Sequence, residues 1–99
     1  MILVRDIFQL KFGKAREAKA LWKEGAAGMK KAGMKVDRIL TDLTGPYYTL
    51  VLETSHNSLT DFEKAMKQET GTDEFRKFYP KMVELVESGR REIFTVEDI

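Results

Sequence analysis

A carboxylate sits where a β-strand is expected to bury carbon. In the run Val4-Arg5-Asp6-Ile7-Phe8-Gln9-Leu10, the two-residue period of a strand puts Val4, Asp6, Phe8 and Leu10 on one face and Leu3, Arg5, Ile7 and Gln9 on the other. The Asp6 face is the more apolar and is expected to lie under helices. A carboxyl group held there is either a general base whose proton affinity is raised by partial burial, or a structural anion paired with a lysine or arginine. Trp22, Phe62, Phe75, Phe78 and Tyr79 recur at helical spacing. They read as plain core or as the wall of an aromatic pocket, in which Trp22, Phe75, Tyr48 and Tyr79 would touch a ligand and the two tyrosine hydroxyls would orient it.

Other chemistry-bearing residues are sparse. The single histidine, His56, lies in Thr54-Ser55-His56-Asn57-Ser58, a polar stretch expected at the surface, and its neighbour Ser55 makes no triad with it, because adjacent residues do not face one another. No cluster of histidine and acidic residues has metal-ligand spacing, so neither a metal nor a cofactor is expected. Gly25-Ala26-Ala27-Gly28 falls in mid-helix and is no phosphate loop, which would follow a strand and open a helix. Its small residues serve close helix–sheet contact or leave room for a ligand. With no cysteine there is no disulfide and no thiolate nucleophile.

The elements that must position these residues follow from periodicity. Alternation runs from Ile2 to Lys11, and Gly13 then turns the chain into an amphipathic helix over about Lys14–Lys31 that Gly33 ends. Val36–Thr44 and Tyr47–Thr54 are β-branched and aromatic runs joined by Gly45-Pro46, a hairpin. Ser58-Leu59-Thr60-Asp61 has the form of a capping box and opens a helix to about Gln68. A further helix is expected over Thr72–Ser88, kinked at Pro80 and closed by Gly89. Arg91–Glu97 is the last strand. The order βαββαβ, with its second helix split, implies a single α+β ferredoxin-like domain over residues 1–99, a four-stranded antiparallel sheet with helices on one face.

That arrangement leaves Arg5, Ile7, Gln9, Tyr47, Thr49 and Val51 on an open, half-apolar face. A homodimer by sheet-on-sheet packing is expected there, with Glu53 or Glu92 of the partner satisfying Arg5 and Gln9. The 99 residues carry a net charge of only +1, although residues 1–50 hold ten Lys/Arg against five Asp/Glu and residues 51–99 hold seven against eleven. So weak a split marks solvated helix faces or complementary subunit patches, not a nucleic-acid footprint. RNA-recognition sheets also need stacking rings, and this one offers Tyr47 but then Thr49, with Ile7 and Gln9 on the first strand. No apolar run is long enough to span a membrane and no signal segment is evident, so a cytoplasmic protein is expected.

Phe8–Glu24, FQLKFGKAREAKALWKE, resembles the strand, turn and helix of NIPSNAP-like proteins and the opening of antibiotic-biosynthesis-monooxygenase-like proteins, both of the dimeric α+β barrel superfamily. Ser58–Val96 is similar to their split second helix and last strand. Phe12 stands where the turn usually has proline, and the NIPSNAP arginine falls on Asp6. The resemblance implies a ligand pocket between helices and sheet in each subunit of a dimer, and cofactor-free oxygenation of a small phenolic or quinone-like compound with Asp6 as base. The alternative is a non-catalytic ligand-binding or structural dimer. Haem-degrading relatives use an Asn at the position of Asp6, a Trp near the end of the third strand and a His on the split helix. Here Asp6, Leu52 or Glu53, and Tyr79 stand there, which argues against haem breakdown.

Overall fold

A computed structural model describes residues 1–99. The chain runs β1 (Ile2–Leu10), α1 (Ala15–Lys31), β2 (Lys35–Thr41), β3 (Thr49–His56), α2 (Leu59–Thr70), α3 (Asp73–Leu85) and β4 (Val86–Thr95). The strands form one antiparallel sheet in the order β2-β3-β1-β4. This is the ferredoxin-like arrangement. In α1 the residues at helical spacing, Ala18, Leu21, Trp22, Ala26 and Met29, are the buried ones. Past its end Gly33 takes a φ of +88°, and its N–H reaches the Lys30 carbonyl while that of Met34 reaches the Met29 carbonyl. That double closure stops the helix and tucks Met34 beside Met29 in the core. Val4, Leu10 and Leu50 are fully buried, each worth about 1.5–3 kcal/mol of transfer from water.

Several boundaries depart from the sequence reading: β2 ends at Thr41 and not Thr44, and β3 spans Thr49–His56 and not Tyr47–Thr54. The third helix stops at Leu85, and Val86–Thr95 is strand. Gly89 therefore closes no helix: it lies opposite Phe8 in the β1–β4 ladder, and a Cβ there would come within 3.3 Å of the Phe8 ring. Tyr48 lies just outside β3 with a φ of +61°. Asp42 closes this loop by accepting the Thr49 N–H at 3.0 Å, and the Tyr48 carbonyl accepts the Leu10 N–H at 2.8 Å, so tertiary hydrogen bonds hold the tyrosine in a left-handed turn. In β2 a bulge at Asp37 turns Val36 and Ile39 to the same, helix-covered side.

The open face is more self-sufficient than expected. Arg5 pairs with Glu53 at 3.0 Å and Glu92 at 3.5 Å, Arg38 closes on Glu53 from β2, and Arg90 reaches Glu92 at 3.5 Å. Charges of alternating sign thus cross all four strands. Gln9 donates to the Tyr47 carbonyl. The acids expected to come from a second subunit belong to the same chain, because β1 lies between β3 and β4 and its register brings Arg5 level with both Glu53 and Glu92.

Candidate small-molecule site

The helix-covered face of the sheet is not filled. A cavity of ≈ 250 Å³ lies between β1, β3 and β4 and the three helices. Its walls are Phe8, Trp22, Phe62, Phe75, Phe78 and Tyr79 with Leu52, Met29, Met66 and Met82, and its polar groups include Asp6, Thr54, Glu69, Glu74 and Arg91. The space exists partly because α1 has no side chain at Gly25 and Gly28. A Cβ on Gly25 would touch the Phe78 ring at 3.0 Å, so the glycine lets α1 approach α3. The close contact is helix to helix, where helix to sheet was expected. Trp22 packs at a tilt on Phe8 and edge-on against Phe78, with ring centroids 5.0 and 5.3 Å away, and lines the cavity.

Of the residues singled out in the sequence, Asp6, Trp22, Phe75 and Tyr79 converge on this cavity. Tyr48 does not: its ring packs on Phe12, 4.7 Å between centroids, near the 42–49 loop. Asp6 is not a free carboxylate. Arg91, level with it on β4, donates from Nε to Oδ1 at 2.6 Å, while its guanidinium carbon stands 5.0 Å from the centre of the Phe62 ring. This is the paired anion weighed above. Asp6 borders the cavity, and its one side-chain hydrogen bond is made through Oδ1.

Two functional groups were not legible in the sequence. Glu69 of α2 joins Asp6 and Arg91 at the polar end, and burial raises its carboxyl above the usual range, helped by the charge of Asp6 and opposed by Arg91. A carboxyl raised in the folded state disfavours folding once it ionises. The penalty is absent below about pH 4.5, grows as pH rises towards the folded value and is constant above it. Glu69→Gln is therefore expected to be more stable than the parent at pH 7 in thermal melts, with the gain gone below pH 4.5; an equal difference at both pH values would mean that charge is not its origin.

His56 is the second. It is the buried last residue of β3, not a surface loop residue. Its Nε2 lies 3.0 Å from Thr54 Oγ1 and its ring meets Phe62 edge-on at 5.0 Å. Burial pulls the imidazole below its usual range, against the pull of Asp37, Asp61 and Asp6. No three His, Cys, Asp or Glu side chains come together as a metal site, and no helix is long and apolar enough to cross a membrane.

Solved structures with this architecture include a NIPSNAP family protein from Agrobacterium tumefaciens, 19% identical with a TM-score of 0.89 over 98% of this chain and 93% of that one. An uncharacterized NIPSNAP domain protein from Burkholderia xenovorans is 12% identical, with a TM-score of 0.88 over 98% and 95%. The α+β ferredoxin-like fold of this chain is the one seen in these NIPSNAP proteins. An antibiotic biosynthesis monooxygenase shares it too, 14% identical with a TM-score of 0.77 over 99% of this chain and 100% of that chain. No family model matches the sequence, and no curated protein matches it at a significant level. The likeness is one of fold; the cavity and its lining are features of this chain.

Proposed function

We propose that the cavity receives a compact aromatic compound carrying a phenolic hydroxyl, and that the protein oxygenates it without a cofactor. The observation that carries this reading is an apolar, aromatic chamber of ≈ 250 Å³ ending in two carboxyl groups, Asp6 and Glu69, beside one guanidinium. It suits a ligand smaller than a typical drug-sized molecule. The ring lies among Trp22, Phe75, Phe78 and Tyr79, and its hydroxyl meets the polar end. Asp6 Oδ2 takes the hydroxyl proton, and Arg91 limits the charge that builds up. The phenolate gives one electron to dioxygen, the two radicals join as a ring peroxide, and loss of water leaves a quinone. Asp6 hands its proton to the outer peroxide oxygen, then takes the proton from the ring C–H as the O–O bond breaks, and returns it to the departing hydroxide; one oxygen atom ends in the new carbonyl and the other in water. The likeness to an antibiotic biosynthesis monooxygenase supports this class through the fold alone.

A second reading, ligand binding without turnover, is favoured by the 2.6 Å Asp6–Arg91 bond, which gives Asp6 a structural reason to be there. In either case we propose a homodimer in which the sheet faces stack over Arg5, Ile7, Gln9, Tyr47, Thr49 and Val51. Support comes from the 77% exposure of Tyr47 and 48% of Phe94; a stable pair buries about 800 Å² per subunit.

Native mass spectrometry with 2-naphthol tests the site and the assembly together. Twice 11.4 kDa plus bound naphthol is the expected species. Gly28→Leu, whose new side chain starts 3.7 Å from Glu74 Cβ at the cavity wall, should abolish naphthol binding and leave the fold intact. Naphthol bound equally by this variant would refute the cavity as its site.

A further inference from the structure

Thr54 has a hydroxyl that the reaction above does not use. It is 2% exposed, borders the cavity and lies two residues along β3 from Leu52, the cross-strand partner of Asp6, so it stands diagonally across the same face. Its one side-chain hydrogen-bond partner is His56 Nε2 at 3.0 Å, and His56 itself is walled off by Phe62. A buried hydroxyl backed by an imidazole has two settings. With the proton on Nδ1, His56 accepts from Thr54, and the hydroxyl presents only lone pairs to the cavity. With the proton on Nε2, His56 donates to Thr54, and the hydroxyl hydrogen is free to point at a ligand.

Resting on the proposed phenol-binding reading, we infer that Thr54 and His56 form a donor for the ligand oxygen: Nε2–H of His56 donates to Thr54 Oγ1, whose O–H donates to the oxygen from which Asp6 removes the proton. No covalent bond is made or broken by the pair. As the phenol loses its proton to Asp6, charge grows on the oxygen that Thr54 faces, and a fixed donor in a water-poor site is worth most at that moment. Thr54 is the contacting residue. His56 is a positioning residue that selects which way the hydroxyl points. The groups around the imidazole are Asp37 on β2, Asp6 on β1 and Asp61 on α2, with Arg91 of β4 on the ring of Phe62; Asp6 is neutral once it holds the phenolic proton, and the Asp37 and Asp61 carboxylates tolerate a partial positive charge on His56 while it donates.

Because His56 is the sole histidine, its imidazole nitrogens report on the pair without ambiguity. The experiment is ¹⁵N NMR of the full chain with 2-naphthol or with 2-methylnaphthalene, which has the same rings and no oxygen. With 2-naphthol the neutral imidazole should move towards the Nε2–H tautomer, and the titration midpoint should rise by about half a unit, within the reach of one hydrogen bond. 2-Methylnaphthalene should do neither. Thr54→Val, close in shape, should weaken 2-naphthol binding by about three- to tenfold, the loss of one hydrogen bond, and lose the tautomer response at saturation, while Thr54→Ser should keep both. If Thr54→Val misfolds, the parent and the serine variant still decide the matter. Naphthol binding with His56 unmoved, or the same response to both probes, overturns the donor pair and leaves the cavity reading standing. If neither probe shifts the cavity resonances at saturating concentration, both readings fall.

Discussion

Trp22→Ala is expected to cost about 3–5 kcal/mol, the range for removing a buried large aromatic side chain. The indole is 2% exposed, belongs to the main core with Leu10, Leu50, Leu52 and Leu85, and joins β1 to α3 through Phe8 and Phe78. A chain of 99 residues has about 5–15 kcal/mol of stability in total, so the variant should melt about 15–30 °C lower. The neighbouring cavity makes the loss worse, since removing the indole enlarges a void that already has no side chain at Gly25 or Gly28. Circular dichroism is the suitable readout, because the only tryptophan is gone. A cost below about 1 kcal/mol would mean that Trp22 is not packed between sheet and helix as described.

The second large effect is on turnover. Asp6→Asn keeps an oxygen that can accept from Arg91, so the β1–β4 register and the guanidinium's place on Phe62 are retained. Arg91 is 42% exposed, and its ion pair is correspondingly screened, so stability should fall by no more than about 1 kcal/mol. The amide cannot take a phenolic proton. Turnover of a naphthol-type substrate should drop at least about 100-fold, the usual scale for losing a general base, with affinity within about threefold. Unchanged turnover would make Asp6 a mere anchor for Arg91 and move the base role to Glu69. An affinity loss as large as the turnover loss would mean that Asp6 binds rather than reacts.

Strand alternation is enough to single out Asp6, because its neighbours Val4 and Phe8 leave no doubt about which face meets the helices. The same rule places Leu50 and Leu52 on that face and Arg5, Gln9 and Thr49 on the other; it does not reach Tyr47, which lies in the loop before β3, nor foresee that Ile7 and Val51 are buried within the single chain. What alternation does not carry is the partner of each group. Arg91 meets Asp6 only through the β1–β4 register, and that register depends on β4 beginning at Val86. Gly89 reads as a helix stop in one dimension, whereas in the sheet it is the residue that makes room for the Phe8 ring. Glu69 looks like one more charge on a solvated helix until α2 is laid across the end of the cavity. His56 misleads for a related reason: flanked by Ser55, Asn57 and Ser58, it reads as loop, yet β3 extends through it because β1 begins opposite, at Ile2. Local polarity describes the backbone's immediate company, and burial is decided by elements far away in the chain.

The junction at Leu85 constrains how the chamber can open. α3 passes into β4 with no residue between them, and the Leu85 carbonyl is tied to the Lys11 N–H at 2.8 Å, so that end of the helix has no slack. At its other end α3 is joined to α2 through Gly71 and Thr72 alone, with the Thr72 N–H on the Glu69 carbonyl and the Phe75 N–H on Thr72 Oγ1, so a widening that keeps the sheet register would carry α3 and α2 together about Leu85. Phe75, far from that pivot, would then be displaced more than Met82 beside it. Amide exchange should accordingly be faster at Phe75–Phe78 than at Met82–Leu85; a uniform rate along α3 would argue that the helix lifts as a whole. A molecule this small thus keeps a rigid floor and a single moving wall.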